Sequence, residues 1–202
     1  MNESPITPDY WLTGLTLDEY VAGMKMNQSH MTRRLASVQL TSAERSAFAR
    51  YHSRMRFLVM TEDWCGDALM NLPVVARIVE ALPNADLRVF VRSTAVELNA
   101  YYAGRDVTKI PVVTLFLDEG FRELATWVER PRTADAWRTE WMAAHPDFVL
   151  GKNPAQLSPE ERQQRMRQLM DLMAEMEAQY DAGMNSDTVT EIRALLDQTV
   201  AA

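Results

Sequence analysis

The sequence predicts an α/β fold in which helices flank a mixed β-sheet. Between residues 56 and 144, apolar runs typical of strands alternate with helical patterns in the order β-α-β-α-β-β-α. The first two strands are separated by a helix, as in a parallel crossover, whereas the last two are separated by a short turn, as in an antiparallel hairpin. A sheet that contains both kinds of connection is mixed and needs helices to cover its faces.

Residues 1–54 are expected to form a helical N-terminal extension. Two capping-box sequences, Thr-Leu-Asp-Glu at 16–19 and Thr-Ser-Ala-Glu at 41–44, can satisfy free backbone N–H groups at a helix start. They predict one helix that runs to about Met31 and a second that runs to about Tyr51. The residues before the first capping box are interpreted as a polar lead-in.

Residues 55–145 are expected to form the α/β domain. Strands are predicted over residues 56–60, 86–92, 112–117 and 124–128, and helices over residues 66–82, 95–103 and 133–144. Pro73 interrupts the first of these helices, and its ring is expected to bend the helix axis. Ser93 or Thr94 is expected to cap the second helix and Thr133 the third. The segment 118–120 is predicted to be the hairpin turn.

Residues 146–202 are expected to form a helical C-terminal extension. Ser158 is a candidate N-cap that precedes a proline and two glutamates, and it predicts a helix that runs to Tyr180. Gly183 is expected to end this helix, and a last helix is predicted over residues 186–200. A methionine-rich stripe on the first helix predicts packing in a core or in a homodimer, with an adaptable peptide-binding surface as the alternative.

Composition argues against several functional classes. Hydrophobic residues make up 47% of the 202 residues, which is enough for a core, and the formal net charge of −7 argues against a nucleic-acid partner. No apolar run approaches the roughly 18 residues of a membrane span, and we expect no membrane association. The three histidines are widely spaced, so no metal is expected. The sequence contains neither a Gly-x-Gly-x-x-Gly motif nor a phosphate loop, and no other cofactor is expected. No secretory signal is visible at the N-terminus, and a single cysteine fits a reducing compartment, which predicts a cytoplasmic location.

Cys65, the only cysteine, lies between a predicted strand and a predicted helix. At a helix N-terminus, free backbone N–H groups and the helix dipole stabilise a thiolate. Asp63 and Asp67 oppose this effect because nearby carboxylates raise the pKa of a thiol. We therefore expect a reactive thiol that is less acidified than the thiol of a basic dithiol site, with an inert buried cysteine as the alternative. Glu62 and Asp63 are expected to be solvated loop charges.

The segment Trp64-Cys65-Gly66-Asp67-Ala68 resembles the Trp-Cys-Gly-x-Cys motif of the thioredoxin-like superfamily. The resemblance is to a bacterial branch that carries Trp-Cys-Gly-Asp-Cys, with Ala68 in place of the second cysteine. The alanine is either the natural residue or a substitution that would trap a mixed disulfide, and the sequence fits both.

Two further positions support the resemblance, which covers roughly residues 55–145. Pro73 falls where thioredoxins kink the helix that follows the cysteine, and Ile110-Pro111 precedes a β run as the family's cis-proline does. The resemblance implies a thioredoxin-like fold, with a central mixed sheet flanked by helices, between helical N- and C-terminal extensions. Val59 departs from the pattern, because most thioredoxins have a buried aspartate there.

The resemblance implies a thiol-disulfide oxidoreductase that acts through Cys65 alone, because Ala68 removes the resolving cysteine. An external thiol would then resolve the mixed disulfide, and the expected partners are protein thiols or disulfides and a low-molecular-weight thiol. The implied substrate-binding residues are Trp64, Gly66, Ile110 and Pro111. Asp67 is either a proton acceptor or a charge that complements the helix N-terminus. The alternative function is a redox-inactive thioredoxin-fold module that binds a partner protein.

Overall fold

The computed structural model describes residues 4–117, 120–148 and 157–200. The chain forms two compact units, of which one comprises Met1–Arg130 with Asn185–Ala202 and the other Pro131–Met184. The division at residues 54 and 145 follows the sequence pattern and stays a prediction.

The first unit contains four strands and most of the helices. Its helices are α1 (Pro8–Leu12), α2 (Leu17–Gly23), α3 (Gln28–Ser37), α4 (Ser42–Phe48), α5 (Gly66–Ala81), α6 (Val96–Ala103) and α9 (Asn185–Val200). Its strands are β1 (Met55–Thr61), β2 (Ala85–Val91), β3 (Val112–Leu117) and β4 (Arg122–Val128). The second unit contains α7 (Arg132–Ala144), α8 (Pro159–Gln179) and a π-helical turn over Tyr180–Met184.

The four strands form one mixed sheet in the order β2-β1-β3-β4. β1 is parallel to β2, whereas β3 is antiparallel to both β1 and β4. Because β3 runs antiparallel to β1, its first residue, Val112, pairs with Met60 near the end of β1. The segment after β1 and the segment before β3 therefore meet at the same end of the sheet. The mixed sheet with its flanking helices confirms the predicted α/β class.

β1 lies at the centre of the core and is buried along its whole length. Leu58 and Met60 pack in an apolar cluster with Trp11 of α1 and Leu98 of α6. Side chains alternate between the faces of a strand, so Val59 points to the opposite face, where it is fully buried. Cys65, which follows β1 in the chain, belongs to the same cluster as Leu58. The cysteine is therefore packed against the core that the central strand forms.

The predicted single helix from residue 17 to Met31 is wrong. α2 ends at Gly23 and α3 begins at Gln28. Between them, the backbone N–H groups of Lys25 and Met26 donate to the carboxylate of Asp63, at 2.8 and 3.0 Å. These tertiary hydrogen bonds replace the i→i−4 bonds that a continuous helix would need. The capping boxes at Thr16 and Thr41 are present as predicted.

Several element starts differ from the predictions. α1 lies in the predicted polar lead-in, with Thr7 as its N-cap. The N-cap of α6 is Ala95 and that of α7 is Pro131, instead of the predicted Ser93 or Thr94 and Thr133. The N–H of Ser93 donates to Glu62 at 2.6 Å, so this residue is held in the turn before the helix. The first two residues of the predicted hairpin turn at 118–120 lie outside the described residues.

The helix predicted from Ser158 is confirmed, with a complete capping box and a kink at Gly183. Its methionine stripe is only partly buried. Met176 is 2% exposed, whereas Met166 and Met170 are 60% and 66% exposed. The homodimer through this helix stays a prediction, and so does the bend at Pro73, which lies inside α5.

Gly14 lies where the segment between α1 and α2 closely approaches β2. A Cβ at this position would lie 2.6 Å from the ring of Phe90, whereas a Cβ at Gly23 would have nothing within 4 Å. Gly14→Ala is expected to lower the free energy of unfolding by about 1–3 kcal/mol because the core must shift. Gly23→Ala is the matched control and is expected to raise it by up to about 1 kcal/mol through helix propensity. Denaturant unfolding measures both, and an equal effect of the two changes would contradict the close approach.

Candidate functional site

The thiol of Cys65 lies at the start of α5, at the edge where β1 ends and β3 begins. Cys65 is the N-cap of α5 and is 5% exposed. Its Sγ donates to the carbonyl oxygen of Ile110 at 3.4 Å. The peptide bond between Ile110 and Pro111 is cis, as predicted. The structure thus brings together three of the predicted site residues, although they are separated by 45 positions along the chain.

Burial keeps the Cys65 thiol protonated. Loss of contact with water raises the pKa of Cys65 to about 11, from an ordinary value of about 8.5. The backbone N–H groups of Ala68 and Asp67 lower this pKa, as expected at a helix N-terminus. The carboxylates of Asp67 and Glu129 act in the opposite direction and raise it. The raised pKa agrees with the prediction of weak acidification, and its largest cause is the burial of the sulfur, which outweighs the helix N-terminus. The reactivity of the thiol stays a prediction.

Asp67 is the buried end of an ion-pair network that reaches the exposed Lys109. Its two carboxylate oxygens accept hydrogen bonds from Nε and Nη2 of Arg130, at 2.8 and 2.7 Å. Arg130 also pairs with Glu129 at 2.6 Å, and Glu129 pairs with Lys109 at 2.6 Å. Both oxygens of Asp67 are thus occupied by Arg130. The proton-acceptor role of Asp67 stays a prediction. A proton on this carboxylate would have to compete with the two hydrogen bonds from Arg130.

Asn71 connects α5 to two distant segments. Its side-chain amide donates to the carbonyl oxygens of Asp67 and Glu129, at 2.9 and 3.2 Å. Its Oδ1 accepts a hydrogen bond from Thr188 of α9 at 2.9 Å. Neither Asn71 nor Arg130 is predicted from the sequence as a site residue, because partners 58 to 117 positions apart leave no local spacing signal.

Glu62 and Asp63 hold the loop that carries the cysteine. Glu62 is 8% exposed and accepts the Ser93 N–H, whereas Asp63 accepts two N–H groups from the α2–α3 connection. The carbonyl of Asp63 also accepts a hydrogen bond from Asn27 at 3.0 Å. The interpretation of these carboxylates as solvated charges is wrong, because both bind backbone donors of neighbouring segments.

Trp64 is exposed beside the buried sulfur. Its side chain is 55% exposed, and Val96 of α6 is 69% exposed. Both residues line a pocket of about 400 Å³, together with Glu62, Arg92, Ser93 and Asn99. Arg92 is oriented by hydrogen bonds to Asn99 at 2.8 Å and to the Thr108 carbonyl at 3.1 Å. Because Trp64 is exposed, a ligand can contact its side chain. Gly66, another predicted site residue, is the first residue of α5.

Among the described residues, no group of three or more His, Cys, Asp or Glu side chains could hold a metal ion. Within the same ranges, each helix is too short or too polar to cross a bilayer.

Comparisons with known proteins point to one fold. A family model described as thioredoxin matches residues 14–142. A 1.5 Å crystal structure of a protein of unknown function from Pseudomonas aeruginosa is similar, with 20% identity, a TM-score of 0.66, and coverage of 98% of this chain and 99% of that chain. An HIV epitope-scaffold is also similar, with 20% identity, a TM-score of 0.62, and coverage of 96% and 99%. None of the curated proteins compared with the sequence matches it. These likenesses confirm the predicted thioredoxin-like fold, and at this identity they concern the fold alone.

Asp67→Asn tests the electrostatic control of the thiol. Removing this carboxylate removes a negative charge that raises the pKa of Cys65, so the pKa is expected to fall. The rate of alkylation by iodoacetamide, measured against pH, should therefore rise at a lower pH in the variant. Asp18→Asn, an exposed change on α2, is the control and should leave the profile unchanged. An unchanged or higher midpoint for Asp67→Asn, in a variant that still unfolds cooperatively, would contradict the assignment.

Proposed function

Because the chain belongs to the thioredoxin family, whose model matches residues 14–142, we propose that it is a thiol-disulfide oxidoreductase that acts through Cys65 alone. The observation that carries this proposal is the position of Sγ, at the first turn of α5 and 3.4 Å from the carbonyl before Pro111. Ala68 stands where the Trp-Cys-Gly-Asp-Cys branch has its second cysteine, and the chain contains no other cysteine. The proposed chemistry is therefore monothiol.

The reaction consists of two exchanges. The Cys65 thiol first loses its proton to solvent or to a carboxylate such as Asp67, and the thiolate attacks one sulfur of a substrate disulfide. The Cys65–substrate disulfide forms as the substrate S–S bond breaks, and the released thiolate takes up a proton. An external thiol, as its thiolate, then attacks the substrate sulfur of the mixed disulfide. The bond from this sulfur to Cys65 breaks as its bond to the external thiol forms, so the products are the Cys65 thiolate and a disulfide between the substrate sulfur and the external thiol. Electrons thus pass from the external thiol to the substrate, and no cofactor is needed.

The substrate is proposed to bind across the exposed surface beside Cys65. Trp64 offers a flat apolar contact, and the adjoining pocket of about 400 Å³ has room for a small thiol or a side chain of a protein disulfide. Gly66 adds no side chain beside the sulfur. The backbone of Ile110, next to Pro111, would pair with an extended substrate segment, which requires the Cys65 thiol to give up its bond to the Ile110 carbonyl.

The need for an external thiol bears on where in the cell the protein would act. A low-molecular-weight thiol is abundant only under reducing conditions, so we propose a cytoplasmic, bacterial setting with protein disulfides as substrates. Nucleic acids and membranes are not among the proposed partners. A homodimer through α8 would leave this chemistry unchanged, since α8 carries no cysteine.

A second candidate is a redox-inactive module that binds a partner protein. The specific observation in its favour is the burial of Cys65, which raises its pKa to about 11 and leaves little thiolate at neutral pH. In this case Trp64 and Val96 would serve as contacts for a partner, and the cysteine would be a packing residue.

Restoration of the second cysteine tests the proposed function most sharply. Ala68 is 1% exposed and belongs to the same buried cluster as Cys65, so Ala68→Cys would set a second thiol beside the first. This variant is expected to reduce insulin disulfides with dithiothreitol, whereas the unchanged chain should turn over only a mixed-disulfide substrate with added glutathione. Ala100→Cys, which adds an exposed thiol on α6, is the matched control and should not gain insulin reduction.

Cys65→Ser separates the two candidates. Loss of all mixed-disulfide turnover in this variant is the expected result for the oxidoreductase. If the unchanged chain has no turnover at any pH up to about 9, and Cys65→Ser captures the same partner proteins as the unchanged chain, the binding module replaces the oxidoreductase.

A further inference from the structure

A second pocket lies at the opposite end of the sheet from Cys65. It has a volume of about 530 Å³ and is lined by Pro8, Trp11, Leu12, Thr16, Arg54, Arg56, Asp86, Leu87, Arg88 and Phe121. Arg56 is the second residue of β1, whereas Cys65 follows the end of this strand. The five steps from Arg56 to Thr61 alone span about 16 Å, at roughly 3.3 Å per residue. The pocket is therefore separate from the thiol site.

The lining of this pocket is basic in a chain that is acidic overall. Arg54, Arg56 and Arg88 contribute three positive charges and Asp86 one negative charge, which gives +2, whereas the chain as a whole carries −7. Arg56 is 8% exposed, so one of these three charges lies inside the pocket wall. The concentration of cations in one concave site indicates an anionic ligand.

The guanidinium groups are oriented by neighbouring groups. The guanidinium carbon of Arg56 lies 4.5 Å from the centroid of the Phe121 ring, which fits a cation–π contact. Nη1 of Arg88 donates to the carbonyl of Gly14 at 3.1 Å, and Nη2 of Arg54 lies 3.4 Å from Asp86. A guanidinium has five N–H donors, so Arg54 and Arg88 keep donors for a ligand after these bonds.

An apolar wall completes the pocket. Leu12 of α1 is 67% exposed, and Leu87 of β2 is partly exposed. Trp11 and Phe121 lie behind them, with their ring centroids 5.8 Å apart. A cavity of this volume suits a small organic molecule, and its combination of cations and apolar side chains suits an anionic group attached to an apolar body.

We propose that this pocket binds a small phosphate monoester. Phosphate monoesters carry a charge of about −1.5 to −2 at pH 7, which matches the lining charge of +2. Arginine binds phosphate oxygens through paired, parallel N–H bonds, and Arg88 and Arg54 both line the pocket. The organic part of the ligand contacts Leu12 and Leu87. This inference is independent of the proposed chemistry at Cys65.

Calorimetric titration with phenyl phosphate tests the proposal. The full chain is expected to bind it with a dissociation constant below about 1 mM, and phenol, which lacks the anion, should bind at least about tenfold more weakly. Arg88→Gln and Arg54→Gln are each expected to weaken binding by about tenfold because each removes a charged donor. Arg33→Gln, which removes an exposed charge on α3 outside the pocket, is the matched control and should bind as tightly as the unchanged chain.

Arg54 has a side chain that is 55% exposed, so its variant keeps the test valid if Arg88→Gln fails to unfold cooperatively. Absence of binding to the unchanged chain at about 10 mM phenyl phosphate, or equal weakening by Arg33→Gln, would overturn the proposal. Binding of a phosphotyrosine peptide at least about tenfold more tightly than phenyl phosphate would overturn the small-molecule ligand in favour of a protein partner.

Discussion

The burial of one sulfur atom between the first turn of α5 and the carbonyl of Ile110 is the constraint on which the rest of the site depends. Sγ of Cys65 is close enough to the helix N-terminus to accept its N–H groups, yet it is nearly excluded from water. Burial destabilises the thiolate and raises the pKa of Cys65, whereas the N–H groups of the helix N-terminus stabilise the thiolate and lower the pKa. Burial has the larger effect here. Cys65 is therefore a thiol at neutral pH. It becomes a thiolate only at alkaline pH, or when a bound substrate changes the surroundings of the sulfur.

Two sets of tertiary bonds fix the groups around the sulfur. On one side, Asp63 binds the backbone between α2 and α3, so that the N-terminal helices help to shape the loop before the cysteine. On the other side, Arg130 holds Asp67, and Asn71 joins α5 to α9. The helical segments at both ends of the chain thus contribute to the site, and the acidic groups that raise the pKa of Cys65 are kept in position by the same bonds.

Local signals in the sequence predicted most of the fold. Capping boxes identified helix starts at Thr16, Thr41 and Ser158, and short apolar or alternating runs identified the four strands. Prediction failed where a distant partner decided the local structure. The break after α2 depends on Asp63, 37 to 38 residues away, and the Asp67–Arg130 pair spans 63 residues. Neither contact has a signature in a short window of sequence.

The protonation of the cysteine is the central claim, and a direct titration tests it. Because Cys65 is the only cysteine, protein labelled with ¹³C-cysteine gives one Cβ resonance, whose chemical shift follows the conversion of thiol to thiolate. The structure predicts a pKa of about 11, well above the ordinary value, because the sulfur is buried and faces two carboxylates. A midpoint below about 8 would mean that the helix N-terminus outweighs burial, and it would contradict this account of the site.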